Sequence, residues 1–347
     1  MDWQAEFPPY EDGLLKFDGK AVRVSPDDAQ YFFGYFDKSP WNSKGVLLAN
    51  KADFSDEMVH TTTSTEYVLV NLLPATTYYW KVTAGGFATE TRSFVTEDTI
   101  RTLTIGGVDN ARDIGGYATG ENTRLKYGMV YRTATLDTIT EDGLYQMLTV
   151  LGIKTELDVR TPGEGTAGAS LLGNTINYIN YSGPYYYNTT SGILAAAYQD
   201  ALRAEIRAFA DEDNYPIVVH CSVGRDRTGT ILFLIEGLCG VSKTDLYMEY
   251  ELSFLGRIGG NGANVTHLMN EVDKMYNGIQ TYAPDGTFAE ACEAFMLSVG
   301  ITQAEIDTIR ELMTEVIGEE EPTDPEQPDP NDPNTDFDPD EDETEIF

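Results

Sequence analysis

A short polar loop between two apolar stretches constrains this chain more than any other part of its sequence. The loop follows the β-rich run Tyr215 to His220 and precedes the apolar stretch Thr228 to Cys239, which is closed by Gly240. This order predicts a buried strand, a turn and a helix. A loop that opens a helix directs several backbone N–H groups into one hollow, where they favour an anion. The segment therefore predicts an anion site within an α/β layer.

The residues in this loop are those that nucleophilic chemistry on phosphate requires. A cysteine at the base of the hollow, here Cys221, is stabilised as a thiolate by the same dipoles. Arg227, six residues later, can fold over the loop and offer two parallel N–H donors to phosphate oxygens. Gly224 lets the backbone approach closely. A buried structural thiol is the alternative for Cys221, but an inert thiol does not explain the glycines and arginines around it.

Strands and helices alternate from about Ile100 onwards. Lys154 to Val159 is a short apolar strand. Besides the helix after the loop, helices are predicted over Ala195 to Ala210, Lys243 to Phe254, Phe288 to Val299 and Gln303 to Ile317. Thr302 and Glu305 carry the signature of a capping box at the start of the last helix. Interleaved strands and helices predict an α/β layer fold with a mostly parallel sheet.

The chain before about Glu97 is β-rich and predicts a small all-β sandwich. Its short runs are Lys20 to Val24, Gly45 to Ala49, Glu66 to Asn71 and Thr91 to Val95. In the clearest stretch, Tyr78, Trp80 and Val82 alternate onto one face, as a half-buried strand requires. The segment Leu72 to Val82 resembles the later strands of a fibronectin type III domain, with Tyr78 as the corner tyrosine. Some other small β-sandwich is the alternative.

The charge of the chain is strongly negative and limits its partners. The net charge is −34, and residues 318–347 contain 14 acidic residues and no basic one, which leaves −20 on the first 317 residues. The final segment has too little apolar surface to fold and is predicted to be a disordered tail or spacer. An acidic surface repels nucleic acid and anionic membranes, so neither is an expected partner. No run has the length of a transmembrane helix, so no stable membrane insertion is expected.

Cysteine and histidine are too sparse for a disulfide framework or a zinc site. The cysteines are Cys221, Cys239 and Cys292, and the histidines are His60, His220 and His267. Cys239 and Cys292 fall on apolar helical faces and are predicted to lie in the core. No metal and no cofactor is expected.

The stretch Val218 to Gly229 resembles the signature loop of the tyrosine phosphatase superfamily, His-Cys-x-x-Gly-x-Asp-Arg-Thr-Gly. Its ending, Asp-Arg-Thr-Gly, is similar to the ending found in a bacterial branch that includes the mycobacterial and Listeria secreted phosphatases. Asn110 to Tyr117 resembles that branch's entry motif, N-F-R-D-L-G-G-Y, with Ala111 in place of the aromatic residue. Further matching segments, in the family's order, are Tyr131 to Ala134, Leu151 to Ile153 and Leu157 to Pro162. The resemblance spans about Ile100 to Ile317.

The resemblance implies a phosphatase that works through a phosphocysteine intermediate. Cys221 is the expected nucleophile, and Thr228 is expected to donate a hydrogen bond to its sulfur. The expected phosphate-binding residues are Ser222, Val223, Gly224, Arg225, Asp226 and Arg227.

Two carboxyl groups are candidates for the general acid. The resemblance favours Asp226, and its alternative role is a structural partner of Arg225 or Arg227. Asp158 is the second candidate, at the end of a strand where active-site residues gather. We expect Asp158, together with Arg160, to brace the loop more often than to act as the acid. Arg112 and Asp113 are likewise expected to support the site.

The expected substrate is a phosphorylated protein or a small phosphomonoester, phosphotyrosine first. Arg225 stands where many relatives have a lysine associated with phosphoinositide activity, which leaves that activity open. The aromatic stretch Tyr181 to Tyr187 could stack on a phosphotyrosine ring or pack as ordinary surface. An inositol polyphosphate phosphatase is a second hypothesis. A third, from another class, is a non-catalytic surface binding protein with a degenerate phosphatase fold.

The expected domains are a fibronectin type III-like sandwich in residues 1–97, a catalytic domain in residues 98–317 and the tail in residues 318–347. The N-terminus lacks the basic and apolar regions of a signal peptide, which fits a cytosolic protein or a mature form. A fibronectin-like module and a Pro-rich acidic tail favour a secreted or surface-attached bacterial protein. Its N-terminal domain would then bind a surface, polysaccharide or protein partner.

Overall fold

The structure is a computed structural model that describes residues 14–17, 22–23, 44–62, 67–84, 87–186, 192–254 and 271–317. The predicted tail lies outside the described residues, as does the predicted strand Lys20 to Val24 apart from Val22 and Arg23.

Strands fill the first part of the described chain, and strands mixed with helices fill the rest. The strands before residue 100 are β1 Leu14–Phe17, β2 Val22–Arg23, β3 Lys44–Ala49, β4 Met58–Thr62, β5 Val68–Leu69, β6 Thr77–Ala84, β7 Phe87–Ala88 and β8 Arg92–Thr96. The later strands are β9 Arg112–Asp113, β10 Ala118–Gly120, β11 Thr123–Leu125, β12 Val130–Thr133, β13 Thr155–Asp158, β14 Asn177–Asn180, β15 Ile217–His220 and β16 Thr314–Val316. The α-helices are α1 Glu141–Tyr145, α2 Gln199–Ala208, α3 Arg227–Leu238, α4 Lys243–Leu252, α5 Asp273–Gln280, α6 Phe288–Ser298 and α7 Gln303–Met313.

The strand before the polar loop lies at the centre of a five-stranded sheet with the order β14-β13-β15-β12-β9. Strands β12 to β15 pair in parallel, and β9 joins the edge antiparallel to β12. Every residue of β15 is buried. Ile217 and Val219 pack with the helical core, whereas Val218 packs with Leu151 and Met147 on the opposite face. Because both faces are covered, the strand is a continuous apolar run. The mixed α/β fold with a mostly parallel sheet is confirmed.

Helix α3, which follows the polar loop, is buried along its whole length. Such a helix is apolar on every side, as its sequence indicates. It packs closely against α6 at Gly237, where a Cβ atom would lie 2.6 Å from the Phe288 ring and 3.0 Å from Cys292 Sγ. This packing holds the carboxyl end of the helix, at the far end from the loop.

Helix α7 begins as predicted but ends earlier than predicted. Thr302 and Glu305 form the expected capping box. The prediction of a helix through Ile317 is wrong, because the helix ends at Met313 and the next three residues form β16. Strand β16 pairs antiparallel with β11, from Thr123 opposite Val316 to Leu125 opposite Thr314. Tertiary pairing with a distant strand overrides the local helical pattern here. Each helix within the described residues is too short or too polar to cross a membrane.

The first part of the chain forms a sheet with the order β1-β8-β6-β3-β4, with β7 added to β6. In β6 the predicted alternation is present, because Tyr78, Trp80 and Val82 are buried and their neighbours are half-buried. The Tyr78 hydroxyl accepts a hydrogen bond from Leu73 N at 2.8 Å, as expected for a corner tyrosine. Strands β2 and β5 pair separately. The two-sheet sandwich remains a prediction, since much of residues 1–43 lies outside the described chain.

Buried polar contacts join this β region to the layer that follows. The Arg101 guanidinium donates to Asn71 O at 2.6 Å, to Leu72 O at 3.1 Å and to Asp113 Oδ2 at 2.9 Å. The Asn71 side chain both donates to and accepts from the Thr104 backbone, at 3.1 and 2.7 Å. Since these groups satisfy one another away from water, they fix the connection between the two regions.

Candidate active site

The loop after β15 curls around the sulfur of Cys221. Cys221 is 3% exposed, and its Sγ accepts a hydrogen bond from Gly224 N at 3.2 Å. Gly224 has a φ of 73°, and a Cβ atom there would lie 2.2 Å from Thr133 O. Only glycine fits this position, because it lacks a Cβ and tolerates a positive φ. The turn returns an amide to the sulfur, which stabilises a thiolate.

The carbonyl groups of the loop point outward, because the surrounding protein supplies a donor to each of four in succession. The pairs are Ser222 O with Thr135 N at 3.2 Å, Val223 O with Asn110 Nδ2 at 3.1 Å, Gly224 O with Arg132 Nη2 at 2.6 Å and Arg225 O with Tyr186 Oη at 2.8 Å. In a planar trans peptide the C=O and N–H point in opposite directions. Outward carbonyls therefore turn the following amides inward, where an anion would meet them.

Arg227, in the first turn of α3, is held by a carboxylate across the loop. Its Nη1 and Nη2 donate to the two oxygens of Glu164 at 2.7 and 2.8 Å, and Nη2 also donates to Ser222 Oγ at 3.2 Å. Burial acts to lower the pKa of Arg227, but Glu164 and Cys221 outweigh it and raise that pKa. The Nε–H is buried and has no hydrogen-bond partner among the described residues. One edge of the guanidinium is thus fixed, and Nε is available for an anion.

Glu164 is not among the site residues predicted from the sequence. Glu164 lies in the turn-rich segment after β13, and Glu164 Oε1 also accepts from Ser222 Oγ at 2.5 Å. The contact becomes predictable once the strand order is known, because β13 and β15 are parallel neighbours and the loops at their carboxyl ends meet at one edge of the sheet. An acidic residue in the first of these loops lies within reach of an arginine in the second.

We expect the Glu164→Gln variant to lower kcat/KM about tenfold, because the Arg227 guanidinium loses its charged anchor. Hydrogen bonds from Arg227 lower the pKa of Glu164 to about 2. The anchoring interaction is therefore complete above the ordinary pKa of 4.5 and is lost as the pH falls towards 2. Steady-state kinetics at pH 6 measures the effect with Glu164 fully ionised. A variant with wild-type kcat/KM would contradict the anchoring role.

Asp226 follows Arg225 in the loop, and the two side chains form an ion pair. Arg225 Nε and Nη2 donate to the Asp226 carboxylate at 3.1 and 3.3 Å. The Arg225 guanidinium also lies 4.9 Å from the centroid of the Phe254 ring. The side chain of Asp226 is 22% exposed, so its carboxyl can exchange protons with solvent or substrate. The pairing with Arg225 is the structural alternative considered above, and it does not exclude proton transfer by Asp226.

Asp158, the second candidate acid, lies in a closed network. It accepts from Arg160 Nε and Nη2 at 2.9 and 2.8 Å and from Tyr178 Oη at 2.9 Å. Burial acts to raise the pKa of Asp158, but the hydrogen bonds from Arg160 outweigh it and the pKa is lowered. A fully bonded carboxylate that holds its charge is a poor proton donor. The geometry therefore favours Asp226 as the acid and a bracing role for Asp158.

Thr228 lies in the first turn of α3 and is completely buried. Its Oγ1 makes no hydrogen bond within the described part of the chain. The predicted hydrogen bond from Thr228 to the Cys221 sulfur is therefore not formed in this structure. Within the described residues, this hydroxyl and the Nε–H of Arg227 are thus two buried donors of the same turn without an acceptor.

Two tyrosines of the aromatic stretch have different positions. Tyr185 is 41% exposed, and its ring centroid lies 5.4 Å from the Arg227 guanidinium carbon. Tyr186 is buried and holds the Arg225 carbonyl, as described above. One ring therefore borders the mouth of the loop, and the other supports it from behind. Tyr187 lies outside the described residues.

The entry motif supports the loop from the other side. Arg112 Nε donates to the two carboxylate oxygens of Glu249 at 2.9 and 3.1 Å, and its Nη1 donates to Asn110 Oδ1 at 2.6 Å. Asp113 instead accepts from Gly115 N and Gly128 N, both at 2.8 Å, and is completely buried. Arg112 thus contacts the loop through Asn110, which binds Val223 O. Asp113 supports the surrounding backbone.

A cluster of possible metal ligands lies beside the loop. Glu156, Asp158 and His220 have donor atoms within 4.8 Å of one another, which among the described residues is the group close enough to hold a metal ion. His220 Nε2 is 2.9 Å from Glu156 Oε1, and Ser170 Oγ donates to Glu156 Oε2. Because these atoms are already paired with one another and with Arg160, the cluster serves as a buried hydrogen-bond network.

The other two cysteines lie in the core, as predicted. Cys239 and Cys292 are 8% and 0% exposed, respectively. Burial raises the pKa of Cys239 to about 12. Such thiols stay protonated and inert, in contrast to a thiol that accepts an amide hydrogen bond in a loop.

Two solved structures are similar over about half of this chain. A cysteine-to-serine variant of TpbA from P. aeruginosa, in complex with phosphotyrosine, shares 15% identity with a TM-score of 0.30, over 51% of this chain and 90% of that one. The catalytic core of the PP-IP phosphatase SIW14 from S. cerevisiae, in complex with citrate, shares 18% identity with a TM-score of 0.28, over 48% and 91%.

The sequence also matches curated relatives and a family model. A candidate tyrosine-protein phosphatase of Cupriavidus necator is 26% identical over 163 residues, 41% of this chain and 59% of the relative. The candidate tyrosine-protein phosphatase OCA1 of Debaryomyces hansenii is 27% identical over 85 residues, 24% and 42%. The chain thus covers less than two thirds of either relative. The model of the tyrosine phosphatase family, Y_phosphatase3, matches residues 103–315, more than half of the chain and the whole loop. The chain belongs to the tyrosine phosphatase family.

Proposed function

We propose that this chain is a cysteine-dependent protein-tyrosine phosphatase that forms a phosphocysteine intermediate. The observation that supports this proposal most is the hydrogen bond of 3.2 Å from Gly224 N to Cys221 Sγ, in a loop that ends at Arg227. The Arg227 guanidinium is itself held by the Glu164 carboxylate. A nucleophile, inward amides and a fixed cation are the parts that phosphoryl transfer requires.

In the first step the Cys221 thiolate attacks phosphorus in line with the leaving oxygen. The S–P bond forms as the P–O bond of the ester breaks, and Asp226 gives a proton to the leaving oxygen. The inward amides and the Nε–H of Arg227 bind the equatorial oxygens, where charge is concentrated in the transition state. Glu164 occupies the other edge of the guanidinium, so the cation needs no reorientation during the reaction.

In the second step water attacks phosphorus and the S–P bond breaks. Asp226, now a carboxylate, takes a proton from that water, and inorganic phosphate leaves with the thiolate restored. The Thr228 hydroxyl, which is buried without a partner among the described residues, is suited to donate to the sulfur as its negative charge returns.

The proposed substrate is phosphotyrosine in a protein or peptide. Tyr185 supports this choice, because its exposed ring stands beside Arg227 at the mouth of the loop. An aromatic ring at this position can pack against the ring of a bound phosphotyrosine. Phosphoserine, phosphothreonine and phosphoinositide activities stay open alongside it.

An inositol polyphosphate phosphatase is the second candidate function, and Arg225 is the observation that favours it. This side chain places a second cation in the loop, although it already pairs with Asp226 and contacts the Phe254 ring. The net charge of −34 opposes very anionic substrates. A non-catalytic surface binding protein is the candidate of another class.

A parallel substrate panel tests these candidates. We expect turnover of p-nitrophenyl phosphate and of phosphotyrosine peptides, with kcat/KM for the latter at least about tenfold above phosphoserine peptides, phosphoinositides and phytate. The physical reason is the ring contact at Tyr185, which only an aromatic ester can use. Preference for phytate would select the inositol polyphosphate function. Inactivity on every substrate would select the binding protein.

We also propose the domain organisation and the location of the protein. The domains are a fibronectin type III-like module in residues 1–97, the catalytic domain in residues 98–317 and a disordered acidic tail in residues 318–347. The Tyr78 corner supports the first assignment. The Asp226-Arg227-Thr228-Gly229 ending supports the bacterial secreted branch, and hence a secreted or surface-attached protein. Cell fractionation that finds the native protein only in the soluble interior would contradict this location.

A further inference from the structure

Asn110 connects the entry motif to the loop that holds the sulfur. Its Nδ2 donates to Val223 O at 3.1 Å, and its Oδ1 accepts from Arg112 Nη1 at 2.6 Å. We propose that Asn110 is a positioning residue for the reaction, because it holds the Val223–Gly224 peptide so that its N–H remains on the Cys221 sulfur. This inference rests on the proposed function of Cys221 as the nucleophile.

The geometry of one peptide carries the argument. The carbonyl of Val223 and the amide of Gly224 belong to the same planar unit and point in opposite directions. Asn110 binds the carbonyl end, and Cys221 Sγ binds the amide end at 3.2 Å. Rotation of this peptide would break both hydrogen bonds together. The Asn110 side chain therefore keeps a donor on the sulfur from a position that touches neither the sulfur nor the substrate.

The orientation of the Asn110 amide is set by its second partner. Arginine can only donate, so the atom that faces Arg112 must be the oxygen, and the NH₂ group must face Val223. Arg112 is itself fixed, because it is buried and its Nε and Nη2 bind Glu249 and Ser253. The donor presented to the loop is thus defined by buried groups.

The backbone of Asn110 also fits this role. Its φ is 56°, in the left-handed region that asparagine tolerates better than most residues. Arg132 binds the next carbonyl, that of Gly224, and so orients the Arg225 amide instead. Among the described residues, Asn110 is the side chain that holds the peptide in contact with the sulfur.

The charged groups around Cys221 come from several elements, and Asn110 adds no charge to them. Arg227 on α3 and Tyr185 after β14 interact with the thiol electrostatically. Glu164 after β13 neutralises part of the Arg227 charge. His220 at the end of β15 contacts the Cys221 carbonyl. Removal of the Asn110 amide would leave these groups in place, so its effect on thiol reactivity can be separated from theirs.

Two variants test the proposal in the full chain. Asn110→Gly removes the side chain and suits the positive φ. Asn110→Asp keeps the shape and the contact with Arg112 but offers no donor to Val223 O. Because it also adds a negative charge near the thiol, the uncharged Asn110→Gly variant decides whether a shifted alkylation profile comes from the lost donor. Asn71→Gly and Asn71→Asp are matched controls, since Asn71 also has a positive φ of 64° and a side chain that donates and accepts. Thermal unfolding establishes that each variant is folded.

The readouts are kcat/KM on p-nitrophenyl phosphate and the pH dependence of Cys221 alkylation by iodoacetamide, followed by mass spectrometry of the peptide. We expect both Asn110 variants to lose about 10-fold to 100-fold in kcat/KM, the effect of one hydrogen bond to a charged group. We also expect their alkylation profiles to move to higher pH by about one unit. The Asn71 variants should keep the wild-type profile even where their melting temperature falls.

The outcomes separate this proposal from the proposed function. An unchanged alkylation profile in either folded Asn110 variant overturns the positioning role, whatever the activity. A shifted profile in the Asn71 controls also overturns it, because the effect would then follow from general loosening. If the wild type turns over no phosphomonoester, the proposed function fails, while the alkylation profiles still report on Asn110.

Discussion

The Cys221→Ser variant is expected to lose turnover of p-nitrophenyl phosphate by about 10⁴-fold or more and to keep its affinity for phosphate or vanadate. A serine hydroxyl is a much weaker nucleophile than a cysteine thiol, so the attacking group is lost. The amides and the Arg227–Glu164 pair do not depend on the sulfur. Steady-state kinetics measures the loss, and isothermal titration calorimetry with vanadate measures the retained binding.

Cys239→Ser is the matched control for this experiment. Its thiol lies in the core at the end of α3, away from the loop, so the variant should keep turnover even if its melting temperature falls. Retained turnover in the Cys221→Ser variant would remove Cys221 from the role of nucleophile. Loss of vanadate binding together with turnover would instead mean that the loop collapses without the sulfur.

The sequence predicted the parts of the site that are local in the chain. The strand β15, the loop from Cys221 to Asp226 and the start of α3 are consecutive, and each is encoded by its own apolar or glycine-containing pattern. The burial of Tyr78, Trp80 and Val82 followed in the same way from a period of two. Hydrophobic periodicity and capping residues depend on neighbours within a few positions of the chain, so they were sufficient to predict these local elements.

The residues that hold the loop could not be predicted in this way. Glu164 binds Arg227 across 63 positions in the sequence, and Asn110 binds Val223 across 113. Those contacts depend on which strands are neighbours in the sheet, and the sequence alone left the strand order open. The error in the predicted end of α7 has the same cause, because residues 314–316 form β16 by pairing with the distant strand β11.

We expect the Asp226→Asn variant to lower kcat about 10²-fold to 10⁴-fold on a phosphotyrosine peptide, because an amide cannot protonate the leaving oxygen. The loss should be smallest for esters whose leaving groups need no proton, such as p-nitrophenyl phosphate. A general acid acts in its protonated form, so the pH–rate profile of the wild type should have a descending limb at high pH. The variant should lose that descending limb, and pH–rate profiles on both substrates measure it.

The Asp158→Asn variant decides between the two acids. Asp158 is completely buried and accepts two hydrogen bonds from the Arg160 guanidinium, which also pairs with Asp137. The variant should therefore lose about 1–3 kcal/mol of unfolding free energy, because Arg160 keeps one of its two anionic partners. Denaturant unfolding measures this cost. Since a carboxylate with a lowered pKa has no proton to give at neutral pH, the folded variant should keep the descending limb. Retention of the rate and of that limb by Asp226→Asn, with their loss in Asp158→Asn, would reverse the assignment.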